Sequence, residues 1–198
     1  MLIFNKNILT IGGNRLEGGP LIPPEPPGPS DEVTIGTQTW KTSNLAIDDG
    51  QGGITVVNNV TVNGVNFGTQ YYYTWDAAVR VSNSITGWHL PSQAECNTLQ
   101  TYAGGSSVAG GKLKSTNGWN YDANGTDDYG FNGIPVGYID ISSSSVPDEF
   151  FGSRSAFWTS TKYSSTKSYR YYFSTGTSMY INNFANTSLF SVRLIKDT

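Results

Sequence analysis

The sequence predicts an α+β fold, and three observations predict it. Strand-like runs come first, two helical patterns follow, and strands return after a long irregular stretch, so helices and strands are segregated rather than alternating. The segment "LPSQAECNTLQTYAGG" carries both a helix start and a helix stop. The stretch Ser168–Leu194, "SYRYYFSTGTSMYINNFANTSLFSVRL", is strand-like, nearly uncharged, and dense in Tyr, Ser, Thr and Asn.

The elements can be taken in chain order. Six of the nine prolines lie in "GGPLIPPEPPGPSDE" (Gly18–Glu32). Such a run favours extended polyproline II and acts as a semi-rigid spacer, so residues 18–32 read as a linker. Residues 1–17 before it are too few to bury a core. Their strand-like "LIFNKNILTI" makes them either a peg that docks by strand addition or an unstructured tail, and the apolar pattern favours the peg. Residues 33–198 read as one domain.

Within that domain "VTIGTQTWKTSNL" reads as a strand and a turn, and "ITVVNNVTVNGVNF" as a hairpin with Asn58-Asn59 and Asn63-Gly64 as turn candidates. "TWDAAVRVS" is a short helix capped by Thr74, with Trp75, Ala78 and Val79 on one face. Ser92 and Glu95 form a capping box for the second helix. Cys96, Leu99, Tyr102 and Ala103 make its inward stripe, and Gly104-Gly105 stop it. Residues 110–153 are Gly-, Asn- and Ser-rich, a length of irregular chain that is usually functional or Ω-like. "AFWTSTK", "SYRYYFS", "SMYINNF" and "FSVRLIK" are the closing strands. In "FSVRL", Val192 and Leu194 alternate with Ser191 and Arg193, which puts the last two on the outward face.

Composition narrows the function. Of 198 residues only 14% are charged, the net charge is −3, and 13% are aromatic, so the core is expected to be small and aromatic-rich. No Lys/Arg cluster offers a nucleic-acid surface. No apolar run reaches the ~18 residues of a membrane helix, and the N-terminus lacks the small-residue cleavage site of a signal peptide. A protein of this kind acting outside a cell would leave by another route, such as within a phage particle.

Chemistry-bearing residues are sparse. The single cysteine, Cys96, excludes an internal disulfide and reads as an inert core thiol. The single histidine, His89, excludes a His-cluster metal site and has no assignable Ser-His-Asp spacing, so it reads as structural. "YDANGTDDYGFNG" alternates Asp122, Asn124, Thr126 and Asp128 like a calcium loop. Asp127 stands where the turn glycine belongs, and Gly133 where the bidentate Glu belongs. An Asx-rich turn that orders the loop is the favoured reading, with a calcium site as the alternative. Asp148 and Glu149 with Arg154 read as a surface ion pair, because adjacent acids on a strand point to opposite faces and cannot flank a glycosidic bond. Trp75, Trp88 and Trp158 are assigned to the core, while Trp119 and Tyr121, set among glycines, are either core or a sugar-stacking pair. No catalytic residues and no cofactor are expected, and the chain reads as a non-enzyme.

Six phrases in one order, "VTIGTQTWKTSNL", "GWHLPSQAE", "AGGKLKSTNGWN", "YGFNGIPVGY", "FWTST" and "FSVRLIKD", resemble the Fibrobacter succinogenes major paralogous domain, a family placed with the C-type lectin fold. The resemblance covers about Val33–Asp197. It implies two helices packed on a twisted, mainly antiparallel sheet, paired N- and C-terminal strands, and a long irregular region above them. "GWHLPS" and "FWTS" also echo the wider group that includes formylglycine-generating enzymes, but their C-terminal cysteines are missing here, so that activity is not implied. The Glu-Pro-Asn and Trp-Asn-Asp calcium motifs of lectins are absent.

Some members of the lectin-like group are variable proteins of diversity-generating retroelements, whose C-terminal part is a hypervariable ligand-facing surface. The resemblance therefore implies a ligand-binding set here of Tyr169, Tyr171, Thr175, Thr177, Ser178, Tyr180, Asn182, Asn183, Asn186 and Thr187. That vocabulary is also the one antibody paratopes use. The expectation is a receptor- or glycan-binding adhesion module of a virion, such as a phage tail or head fibre, or of a cell surface. Residues 1–17 would seat it, as a homo-oligomer, in a larger assembly. A virion decoration protein without a ligand, and an enzyme, are the competing readings.

Overall fold

The computed structural model describes residues 31–140 and 150–198. The peg, most of the linker, and Asp148 and Glu149 lie outside the described residues. The architecture is mixed α+β, mostly β, with antiparallel pairing between its strands.

The first strand-and-turn is a full hairpin: β1 (Glu32–Ile35) pairs with β2 (Gln38–Lys41), with Ile35 opposite Gln38. The two-residue turn needs Gly36, whose φ is +63°. A Cβ there would lie 2.8 Å from the ring of Tyr102, so that tyrosine covers the turn and stays 54% exposed instead of joining the inward stripe. β3 (Ile54–Val57) pairs with β6 (Gln70–Tyr73), and the small hairpin β4 (Thr61–Val62) and β5 (Val65–Asn66) lies between them. Its turn is Asn63-Gly64, both with positive φ, the type I′ geometry that suits strand twist.

Thr74 caps α1 (Trp75–Ser82) by accepting from the Ala77 amide. After β7 (Trp88–His89), both halves of the capping box form at Ser92 and Glu95, and α2 runs Gln93–Tyr102. Gly104 and Gly105, with φ of +106° and +90°, turn the chain out of the helix. The irregular region contains one short helix, α3 (Ala109–Leu113), and a 3-10 turn at Asn120–Asp122. No helix among the described residues is long and apolar enough to cross a membrane.

The last third builds a three-stranded sheet in the order β10-β9-β8, from β8 (Arg154–Lys162), β9 (Lys167–Ser174) and β10 (Met179–Ala185). Alternation sends Phe157, Tyr171, Phe173 and Met179 into a cluster with Cys96, Leu99 and Ala103 of α2, Trp40 and Phe131. It sends Ala156, Trp158, Tyr172 and Phe184 into a second cluster with Ala77, Ala78 and Val81 of α1, Tyr138 and Phe190. Both faces of the central strand β9 therefore pack on the core, which is why it carries aromatics on both sides, while β10 at the edge leaves Tyr180 and Asn182 exposed.

The chain then returns to β11 (Ile195–Lys196), which pairs with β2 and β7 and joins the two ends of the described domain. "FSVRL" is not a one-faced strand: Ser191 and Arg193 are as buried as Val192 and Leu194. Arg193 Nη1 donates to the carbonyls of Lys41 and Phe131, and Nη2 to Asn44 Oδ1 (2.8 Å) and the Asn132 carbonyl (3.3 Å). Its guanidinium also lies 4.7 Å from the Phe131 ring. Burial pulls its pKa down to about 10. The carbonyl and amide oxygens replace the water that a buried cation loses, and the charge of the Asp127 carboxylate adds attraction, so the guanidinium is held inside mainly by neutral acceptors.

Candidate binding surface

The β9–β10 hairpin holds most of the sequence-predicted ligand residues, and the sheet divides them. Tyr180 lies opposite Tyr172, Asn182 opposite Arg170, and Asn183 opposite Tyr169. Tyr180 and Asn182 thus share one face, and Tyr169 and Asn183 the other.

Tyr171 is a correction. It is fully buried and stacked on Phe157, with ring centroids 4.9 Å apart and planes 15° from parallel. Burial drives its hydroxyl pKa well up. It is a core residue, because α2 covers its face, and it offers nothing to a ligand. Tyr169, two residues earlier on that face, is half-buried and meets exposed Tyr163 edge-on at 5.6 Å.

At the turn end, Thr177 is exposed but tied down: its hydroxyl donates to the Ser107 carbonyl (2.8 Å) and its carbonyl accepts from the Gly111 amide (2.9 Å). Ser178 packs so closely that a Cβ on Gly110 would lie 2.2 Å from its carbonyl oxygen. Lys114 reinforces the anchorage, with Nζ donating to the carbonyls of Ala123 (2.6 Å), Ser174 (3.1 Å) and Gly176 (3.0 Å). Thr175 sits half-buried within this pinned turn. At the far end, the Asn186 carbonyl accepts from the Trp75 amide at the start of α1, and Thr187 is exposed beside it.

The face bearing Tyr180 has the most organised surface. Tyr180, 43% exposed, stacks on Tyr172. Asn182, also exposed, accepts from Arg170 Nε at 3.1 Å. Arg170 is itself buried among rings: Phe184, Tyr172, Phe190 and Tyr138 lie 4.2, 4.7, 4.8 and 5.0 Å from its guanidinium carbon. Burial lowers its pKa, and the ring faces offset part of the lost hydration. The aromatic nest is formed by residues from 138 to 190, so Arg170 and Tyr172 could not be assigned to it from local pattern. Their only signal in the sequence was the surplus of aromatics on β9.

The other candidates resolve separately. Cys96 is buried, and burial raises its thiol pKa well above the ordinary range. Both ring nitrogens of His89 are engaged, Nδ1 with Asp197 (2.7 Å) and Nε2 with Glu95 (2.9 Å). Trp119 is buried, with Nε1 donating to Ser115 Oγ, whereas Tyr121 is 88% exposed, so the two do not form a stacking pair. In the acidic loop, Asp127 Oδ1 accepts from the Asn132 amide. Among the described residues no three His, Cys, Asp or Glu side chains gather into a possible metal site.

A family model described as the Fibrobacter succinogenes major domain matches residues 33–196. No curated protein matches the chain. No solved structure matches it either.

Proposed function

The chain belongs to the Fibrobacter succinogenes major domain family, and from that premise we propose that it is a non-catalytic binding module with a C-type lectin-like fold. It works on a virion, as a phage tail or head-fibre component, or on a cell surface. The face of β10 engages a host receptor protein or glycan, residues 1–17 seat the domain in a larger, homo-oligomeric assembly, and no cofactor takes part.

One observation carries this reading: Tyr180 is exposed yet already stacked on Tyr172, and Asn182 beside it is held by Arg170. Tyrosine offers a large rigid contact with a polar tip, and pre-ordering it removes much of the entropy cost of binding. An exposed strand face with two such side chains suits a macromolecule better than a deeply buried small molecule. Thr175, Thr177 and Thr187 extend it at the two ends of the hairpin.

The test is attachment to host cells by Tyr180→Ala and Asn182→Ala, alone and together. Each change should weaken attachment by ~1 kcal/mol or more while the fold is kept. A folded double variant that attaches normally would remove this face from the function. The decoration-protein reading draws on β10 being an edge strand. It would gain if residues 179–185 were found paired with a neighbouring subunit.

A further inference from the structure

The most exposed tyrosine among the described residues, Tyr121, is not on the β10 face. The β4–β5 turn and the segment 117–124 enclose an open concavity of about 670 Å³. Four asparagines line it, Asn63, Asn117, Asn120 and Asn124, together with Tyr121 and Asp122.

Its frame is rigid. Asn63 Nδ2 donates across the concavity to the Gly118 carbonyl (3.0 Å) and to Asn120 Oδ1 (2.9 Å). Asn120 Nδ2 donates to Ser153 Oγ (3.0 Å), and Asn124 Oδ1 accepts from the Trp119 amide (3.0 Å). Gly118 has a φ of +87° and sits so close to Phe67 that a Cβ would lie 2.5 Å from that ring. The wall is therefore packed against the domain and not a free loop.

Among the described residues nothing gives Tyr121 a packing role. It is 88% exposed, the most exposed of the large hydrophobic side chains among the described residues. Its φ is +59° and that of Asp122 is +54°, two consecutive left-handed residues. Each such non-glycine residue costs ~1–3 kcal/mol, a strain that clusters at binding sites. Glycine would fit this backbone better, and among the described residues no other ring or cation packs on the Tyr121 ring. The hydroxyl of Tyr121, the side-chain amide of Asn117 and Asn124 Nδ2 have no hydrogen-bond partner among the described residues.

We propose that this concavity is a binding site for a neutral saccharide. A pyranose presents an apolar C–H face that matches an exposed aromatic ring, and a rim of hydroxyls that both donate and accept. Primary amides do the same, so Asn117 and Asn124 can meet such a rim from either side. Among the described residues no cation lines the site and Asp122 is its one charged residue, which selects against carboxylate, sulfate and phosphate groups. Tyr121 is the stacking platform, and Asn117 and Asn124 set orientation.

The site is separate from the β10 face, so it can fail or stand without that reading. The test is NMR titration of the full chain with methyl glycosides of glucose, galactose, mannose and N-acetylglucosamine and their short β-linked oligomers. At least one should give saturable shifts at Tyr121, Asn117 and Asn124. Tyr121→Ala should weaken binding at least tenfold, and Tyr121→Phe should keep it within about threefold, since stacking needs the ring and not the hydroxyl. Asn117→Ala should weaken it several-fold. Tyr180→Ala with Asn182→Ala should leave it unchanged. The amide spectrum of each variant verifies its fold. The proposal is overturned if no probe shifts these signals up to about 10 mM, or if the shifts persist undiminished in folded Tyr121→Ala.

Discussion

Tyr172 and Tyr180 face each other across the β9–β10 pair with ring centroids 4.8 Å apart and planes 17° from parallel. One ring is half-buried and the other is exposed, so the pair connects the core to the surface.

That connection separates two adjacent tyrosines by consequence. Tyr171→Ala empties a fully buried site against Phe157 and should cost ~3–5 kcal/mol, the usual range for truncating a buried aromatic. Tyr180→Ala should cost no more than ~1 kcal/mol, mostly the lost ring stack. Denaturant melts of the two variants measure the contrast, and equal losses would contradict the burial difference.

The turn of the β9–β10 hairpin should depend on glycine at position 110. Gly110→Ala would drive a methyl group into the backbone at Thr177 and Ser178. The expected loss is ~1–3 kcal/mol, with amide shifts spreading through residues 175–179. A neutral effect would mean that α3 can move away from the hairpin freely.

Lys114 holds three carbonyls from two distant segments and lies 4.5 Å from the Trp119 ring. Burial lowers its pKa to about 8. Lys114→Met keeps the stem but leaves those carbonyls without a donor, so the expected loss is ~2–3 kcal/mol. Hydrogen exchange should speed up at both 123–126 and 174–177. Acceleration in only one of them would show that the lysine does not tie them together.

His89 predicts how stability changes with pH. Partial burial pulls its pKa down, but hydrogen bonds from the ring to Glu95 and Asp197 outweigh this, and the net shift is upward from 6.5. A raised pKa in the folded state means that the stabilisation is complete below about 6.5 and is lost as pH rises through the folded value. Glu95 works in the opposite direction. Burial raises its pKa, yet bonds from Ser92 and His89 bring it net below 4.5, so its contribution is lost as pH falls. The melting temperature should therefore be highest at mildly acidic pH and decline past neutrality. In His89→Gln the decline above pH 6.5 should flatten, and an unchanged decline would assign the titration to another group.

Residues 33–198 should fold without residues 1–32. β1, β2 and β11 pair with one another inside nearly that span, and the family match covers 33–196. The truncated chain should show one cooperative thermal transition, while an insoluble product would move the boundary. In the proposed assembly, loss of residues 1–17 should abolish incorporation and leave the domain folded.

What the sequence by itself determined are the features whose physics is local. The caps at Thr74 and Ser92, the glycine stop at 104–105, and the Asn63-Gly64 turn each depend on a few neighbouring residues, and each lies where the pattern put it. Composition also pointed to polar and aromatic side chains at the exterior of β10, and Tyr180 and Asn182 are exposed there. Which tyrosines do so was decided only by the tertiary structure. Alternation says that Tyr171 and Tyr172 point to opposite faces, but not that α2 closes one of them while the other opens toward Tyr180. Tyr121 and the four asparagines likewise come together only because the β4–β5 turn folds back onto residues 117–124. Arg193 is the clearest case: its own segment suggests an outward charge, and it is buried because the oxygens that satisfy it belong to residues 41, 44, 131 and 132. A charge enters a core only where acceptors replace its water, and long-range packing alone brings those acceptors to it.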